Sequence, residues 1–312
     1  MGGKTAKAAK ATEGSGSELG EFLRLRRAAV TPAELDLRVP SEHRRVPGLR
    51  REELAGLAGI SLAYYTRLEQ GRSTNASDQV LDAIARVLRL DATQRAHLYD
   101  LARRPPRAVR RRPPSEQPHP RSVQLLEALH HLPALLLGRR NDVLAWNPLG
   151  HALLAGHLPY EAPADPATRP SMSRMLFLDP HTRELERDWE HYARTHVGYL
   201  RLVAGRYGED RALAELIGEL SMKSPEFAGW WAGGNVRECT FGSRVLDHPV
   251  VGPLEVTYQV WLQPDRPDHR LELYTPGPDP AAADALALLE RESGPAQRAA
   301  AARASEATAS AR

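Results

Sequence analysis

The sequence predicts two domains: an all-α domain first, then an α+β domain built on an antiparallel sheet covered by helices. Three observations carry that expectation. Between Glu18 and Leu101, apolar residues recur at helical spacing in five separate segments. The run RRPPRAVRRRPPSEQPHP then shows no apolar periodicity and many prolines, as a semi-extended linker would. From Ser122 onward strand-like runs appear, one hairpin early and three runs late, with helical patterning between them. At 312 residues the chain is long enough for each domain to bury its own core. The expected boundaries are a disordered tail over 1–17, the helical domain over 18–104, a linker over 105–121, the α+β domain over 122–291 and a disordered tail over 292–312.

Taken in order, Glu18 to Val30 reads as a helix, with Leu19, Phe22 and Leu23 on one face and Arg24, Arg26 and Arg27 largely on the other. The Pro-bearing connection that follows contains Arg44 and Arg45, which suit either a phosphate strand or a solvated loop. Arg50 to Arg72, RREELAGLAGISLAYYTRLEQGR, reads as two short helices and a tight turn. Gly59 breaks the first helix where a positive φ costs nothing, and Ser61 is a natural N-cap for the second. Gly59 follows Ala55 by four residues, Tyr65 follows Gly59 by six, and Leu68 comes a turn later. That spacing suits a helix-turn-helix. An ordinary helical hairpin in a core is the bland alternative. Ser77 and Asp91 cap a fourth and a fifth helix, the fourth with Val80, Leu81, Ile84, Ala85 and Leu88 at helical spacing.

Charge sharpens the choice. Residues 18–115 hold 19 Arg and no Lys against 12 acidic residues, +7, whereas residues 116–312 hold 20 basic against 26 acidic residues, −6. A basic head on an acidic body fits nucleic-acid binding by the head. On the second helix of the motif, Ser61, Leu62, Ala63, Thr66, Arg67 and Gln70 should face a major groove, with Tyr64 borderline and Tyr65 and Leu68 inward. Arg67 is the candidate base reader, and Leu62 and Ala63 would meet thymine methyls. Arg50, Arg51 and Arg72 suit phosphate contacts that position the domain. Glu69 reads as structural, tying down neighbouring arginines.

In the second domain, Val123 to Leu132 reads as a helix, and PALLLGRRNDVLAWN as a hairpin with an Arg-Asn-Asp turn. Pro148 starts another helix, residues 161–173 read as loop, and 181–207 and 209–221 read as helices. Trp189, Tyr192, Val197, Leu200 and Val203 form an apolar stripe on the first of these. PEFAGWWAG is a short helix; CTFGSRVL, PLEVTYQVWLQ and HRLELYTP are strands; an Ala-rich helix covers 280–290. All five tryptophans lie in this part of the chain, and core packing is the first expectation for each. Arg201, in an apolar helix, needs a partner if buried: an internal carboxylate or a ligand.

Several classes are disfavoured. The sequence carries no GxxxxGK[ST], GxGxxG after a strand, GxSxG or HExxH, its 12 histidines are scattered, and no metal-ligand cluster stands out, so catalysis is not expected. No run of about 18 apolar residues exists to span a membrane. The opening residues lack the apolar core of a signal peptide, and a lone Cys239 suits a reducing cytoplasm.

These motifs have a counterpart. Residues 18–103, with GLRREELAGLAGIS, YYTRLEQGR and SDQVLDAIARVL, resemble the Xre-type helix-turn-helix domain in its actinobacterial version. DVLAWN, LFLDP, DWE, YLR, LSMKSPEF and HPVVG resemble the MmyB-like ligand-binding domain that often follows it. The resemblance implies a one-component regulator that reads a double-stranded DNA operator. Because one helix-turn-helix reads only a few base pairs, a homodimer held mainly by the acidic second domain is expected, and no cofactor is expected. It implies a PAS-like sheet curled around a cavity for a fatty-acid-like molecule, with Trp146, Phe177 and Trp231 as apolar wall and Asn147 and Arg201 at the head group. The alternative is a second domain that only dimerises or binds a protein partner. After Trp231 the family often shows His-Asp-Val, whereas Gly234, Asn235 and Val236 stand here.

Overall fold

A computed structural model describes residues 18–37, 46–73, 76–103, 116–237, 240–264 and 266–292. Arg44, Arg45, most of the expected linker with Arg107 and Arg110 to Arg112, Cys239 and nearly all of both tails lie outside the described residues. The chain divides into two compact units between Val109 and Arg110.

The first unit is helical: α1 (Glu18–Ala29), α2 (Arg51–Leu57), α3 (Leu62–Glu69), α4 (Asp78–Val87) and α5 (Ala92–Ala102). Its core draws Phe22 and Leu23 from α1, Leu54 from α2, Tyr65 and Leu68 from α3, Leu81 and Ile84 from α4 and Leu98 from α5, all essentially sealed from solvent. Burying each such side chain contributes about 1.5–3 kcal/mol, which far exceeds the helical propensity of segments this short. The approach to α2 is tight. A Cβ on Gly48 would sit 2.4 Å from the Ala28 carbonyl oxygen, and Leu49 N–H donates to Arg27 and Val30 carbonyls at 3.0 Å. Gly59 takes φ 67° in the turn between α2 and α3, and Ser61 Oγ accepts from Tyr64 N–H at 3.2 Å. Asp91 and Gln94 close a reciprocal cap on α5 at 2.8 and 3.4 Å.

The second unit starts earlier than the sequence suggested. α6 (Pro120–Ala128) opens with Pro120 in its first turn, where the fixed φ suits a helix start. Glu116 is already buried, accepting from Arg139 N–H at 3.2 Å. The hairpin β1 (Ala134–Leu137) and β2 (Val143–Trp146) follows, then α7 (Pro148–Ala155), α8 (Met172–Leu178), α9 (Pro180–Leu185), α10 (Trp189–Arg206), α11 (Arg211–Lys223) and α12 (Pro225–Ala232). β3 (Phe241–His248), β4 (Gly252–Gln263) and β5 (Arg266–Pro276) complete the sheet, and α13 spans 280–292.

Two element expectations need correction. The segment read as loop over 161–173 contains a 3-10 turn, Ala162–Ala164, and the start of α8. The single helix expected over 181–207 is two. Glu186 leaves the helical path to bridge Leu246, Arg187 N–H donates to the Val245 carbonyl at 3.0 Å, and the Glu186 carboxylate pairs with buried Arg244. A tertiary contact to β3 therefore overrides helical periodicity at that point.

The strands form one antiparallel sheet in the order β2-β1-β5-β4-β3. One face carries the main core, packed under α7, α8, α10 and α13, with Leu135, Val143, Val256 and Tyr274 from the strands. The other face is covered over β1 and β2 by α6, where Leu126 meets Ala134, Leu136 and Leu144. A further core joins α10 to α11 and α12 through Val197, Leu200, Leu216 and Phe227. α10 thus buries two faces.

Candidate functional site

In the first unit the exposed surface is the start and outer side of α3. Ser61, Leu62, Ala63, Arg67, Gln70 and Arg72 are exposed, Tyr64 and Thr66 are half-buried, and Tyr65 and Leu68 pack inward, as the helical spacing required. Ser61 places the free N–H groups of the helix start beside Leu62 and Ala63, and Leu62 remains 47 % exposed. Glu69 anchors the motif from behind. Its carboxylate accepts two hydrogen bonds from Arg27, each 3.0 Å, and two from Arg51, at 3.1 and 2.9 Å. Burial alone would push this carboxyl up; the hydrogen bonds from Arg27 and Arg51 outweigh it and hold it below the usual range. Arg51 is therefore shared with a carboxylate, and Arg50 lies 3.5 Å from Glu52. Both side chains stay nearly half exposed, so each can still meet an anion from its outer side.

In the second unit the five residues expected to line one cavity do not all meet: Phe177, Trp231 and Arg201 gather around Phe227, without Asn147. Trp146 is buried, its indole N–H donating to the Tyr160 carbonyl at 2.7 Å. Asn147 caps α7: its Oδ1 accepts from Gly150 and Ala134 N–H at 2.8 and 3.0 Å, and its Nδ2 donates to Leu129 and Leu132 carbonyls at 2.8 and 2.7 Å. All its bonding capacity is used by backbone, so it is a structural cap and holds no head group. Phe177 meets Phe227 edge-on at 5.0 Å, and Trp231 stacks on Phe227 at 5.6 Å. Arg201 donates to the Trp231 carbonyl and sits 4.7 Å above its ring. Arg201 thus serves the packing of α12 on α10, on the side away from the sheet. The helical period sets this division: residues 197, 200 and 201 face α12, Tyr192 and His196 face the sheet, and Tyr199 lies between, touching both. At the family departure, Gly234 takes φ 69°, a left-handed conformation that costs glycine nothing.

The sheet-facing side of α10 encloses a different site. A cavity of about 10 Å3 lies between α8, α10 and the sheet. Its lining mixes apolar Leu137, Met172 and Val260 with polar Asn141, His196, Arg270 and Glu272 and the rings of Tyr192 and Tyr199; on the sheet Leu137 pairs with Arg270 and Val260 with Glu272. Asn141, at φ 61° in the β1–β2 turn, is the hub. Its Oδ1 accepts from Arg270, and its Nδ2 donates to His196 Nε2 at 2.8 Å and Ser173 Oγ at 3.2 Å. Burial, reinforced by the cations of Arg270 and Arg244, pushes the His196 pKa down to about 3, so the imidazole is neutral and its Nε2 accepts. Alongside, Arg244 donates to Glu186 and to the Tyr274 hydroxyl at 2.7 Å, and Tyr274 donates to Glu272 at 2.8 Å.

Sequence reasoning missed this group. Its signal was the alternation in HRLELYTP, where Arg270, Glu272 and Tyr274 share one face and Leu271 and Leu273 the other. The charged face looks solvent-facing in sequence; in the fold it points into the helix-covered core, and the leucines pack beneath α6.

Comparison with known families agrees with this two-part layout. A family profile described as a helix-turn-helix domain matches residues 18–98, the span of α1 to most of α5. A second, described as the MmyB-like transcription regulator ligand binding domain, matches residues 118–289, from α6 into α13. No curated protein matches the chain. Since the second match alone covers more than half of the sequence and follows a DNA-binding motif, this chain belongs to the MmyB-like transcription regulators, joining a DNA-binding helix-turn-helix to a ligand-binding domain.

Proposed function

We propose that the protein is a cytoplasmic one-component regulator, acting by binding rather than catalysis, whose homodimer reads a two-fold operator and whose second domain senses a small apolar molecule of the fatty-acid class. The observation that carries the DNA half is the exposed face of α3, with Arg67 projecting from a helix whose opposite side is buried and anchored by Glu69. Arg67 suits guanine, Leu62 and Ala63 suit thymine methyls, and Ser61, Tyr64, Thr66 and Gln70 border the same groove face. Arg50, Arg51 and Arg72 suit phosphates. Arg67→Ala should cost about 1–3 kcal/mol of operator affinity and relax base preference at one position, whereas Arg72→Ala should weaken all sequences alike and flatten the salt slope. The test is a selection from genomic fragments with the purified protein, followed by titration of the enriched site. Enrichment of no sequence overturns the operator reading.

The ligand half rests on the family and on a cavity lined by both apolar and polar side chains. A second reading, a domain that only dimerises, draws on the cavity's size: about 10 Å3, against roughly 300–1,000 Å3 for small-molecule sites. Occupancy by an acyl chain thus requires α8 and α10 to move off the sheet. Mass spectrometry of a solvent extract of the purified protein separates the two readings: a stoichiometric lipid supports sensing, and none supports dimerisation alone.

A further inference from the structure

Two arginines are buried in the helix-covered face of the sheet, and they differ in how their charge is met. Arg244 is paired with Glu186 and further bonded to the Tyr274 hydroxyl. Arg270, only 6 % exposed, has no such partner. Its Nη2 donates to the neutral amide of Asn141, its guanidinium lies 3.8 Å above the Tyr199 ring, and its Nε makes no hydrogen bond. Among the described residues no carboxylate forms an ion pair with it. Glu272, two residues along the same strand face, is held instead by Tyr274. His196, the other polar group beside Asn141, is neutral and offers no countercharge.

A buried cation that no carboxylate pairs directly is expensive even with Glu272 in the same cavity lining, and apolar replacements of such groups often leave proteins as stable or more so. Arg270 is also the residue whose planar fork could take a carboxylate bidentately, which a neutral amide cannot satisfy. It lines the cavity together with its cross-strand neighbour Leu137, with Val260, which pairs with Glu272, and with Met172 from α8. We infer that Arg270 is the seat of a carboxylate on the domain's small-molecule ligand, whose apolar part runs along Met172 and Val260. This inference rests on the sensor reading above. With space for about one water at present, the carboxylate enters by displacing the Met172 side chain, which is unbranched and repacks easily. Seating it therefore shifts α8 against the sheet, which gives occupancy a mechanical consequence.

The test uses the full-length protein, delipidated, with octanoate and its neutral isostere octanamide as calorimetric probes. Wild type should bind octanoate about tenfold or more tightly than octanamide, the scale of one charge-assisted pair. Arg270→Met should erase that preference while the ligand-free melting temperature holds or rises, because an unpaired buried charge has been removed. Asn141→Asp, which supplies an internal carboxylate beside Arg270, provides a second arm: it should weaken octanoate about tenfold and leave octanamide unchanged. Equal binding of both probes by wild type, or an octanoate preference that survives either substitution, overturns the Arg270 seat while leaving the sensor reading standing. Binding of neither probe, with no lipid in the extract, overturns both.

Discussion

His196 shows at the scale of one residue how the polar lining of the cavity is built. The imidazole is fully enclosed, and Nε2 accepts from Asn141 and contacts Ser173 Oγ at 2.9 Å. Burial first, and the Arg270 and Arg244 charges second, lower its pKa from 6.5 to about 3. The sign of the consequence follows. The unfolded chain takes up a proton below about pH 6.5 while the folded chain does not, so this residue's contribution to stability falls as pH drops from 6.5 towards 3. At pH 5 the loss is about 2 kcal/mol, from roughly 1.4 kcal/mol per pH unit. His196→Gln keeps an acceptor but cannot titrate, so it should lose that part of the pH dependence. Urea unfolding of both proteins at pH 7 and pH 5 measures it; identical losses in the two proteins would show that His196 is not held neutral in the fold. Asn147 carries the opposite lesson at this scale. Its position beside Trp146 suggested a ligand contact, yet four backbone groups already consume its amide.

Among the elements, α3 was legible in the sequence because local rules determine it: a cap at Ser61, a positive φ at Gly59, and apolar spacing at Tyr65 and Leu68 that only one helix face can satisfy. α10 and β5 were not, because each is covered on both sides. Periodicity shows that α10 is apolar on much of its surface but not which face meets the sheet, so Arg201 was assigned to the cavity and Arg270 was passed over. The break at Glu186 was likewise invisible, since its cause lies on β3 some sixty residues later. At the same scale, Glu69 is the tie that holds α3 to α1 and α2. Its side chain is 2 % exposed and that of Arg27 13 %, whereas Arg51 is half in solvent and adds less. Glu69→Ala leaves Arg27 buried without a countercharge and should destabilise the first domain by about 3–5 kcal/mol. Since all five tryptophans lie after residue 116, tryptophan fluorescence reports the second domain alone. The substitution should move the far-UV circular dichroism transition to lower urea and leave the fluorescence transition in place. Should both transitions stay where they are, Glu69 is not the anchor the geometry describes.

For the whole molecule, the charge division sets the expected behaviour. The +7 head attracts DNA and the −6 body repels it, which leaves contact between bodies to apolar surface. Such surface exists on the α6 side of the sheet, over β3 and β4, where α6 does not reach. Phe241 on β3 and Trp261 on β4 are 77 % and 57 % exposed, and the register pairs Phe241 with Gln259, which puts both aromatic rings on one side of the sheet. Exposed apolar groups that adjoin on one face mark an interaction surface, whereas single ones are ordinary. A regulator needs such a surface, because one helix-turn-helix reads only a few base pairs and a dimer multiplies the specificity of two half-sites. We therefore expect a homodimer held through this face. Trp261→Glu buries nothing in the monomer, so the fold should be unaffected, but the dimer would have to bury two opposed carboxylates. Sedimentation at micromolar concentration should show wild type as a dimer and Trp261→Glu as a monomer. On DNA the same variant should bind a full operator no more tightly than wild type binds a half-site. A variant that stays dimeric with unchanged operator affinity places the contact between copies elsewhere on the second domain, and a monomeric wild type that still reads a two-fold site removes the homodimer altogether.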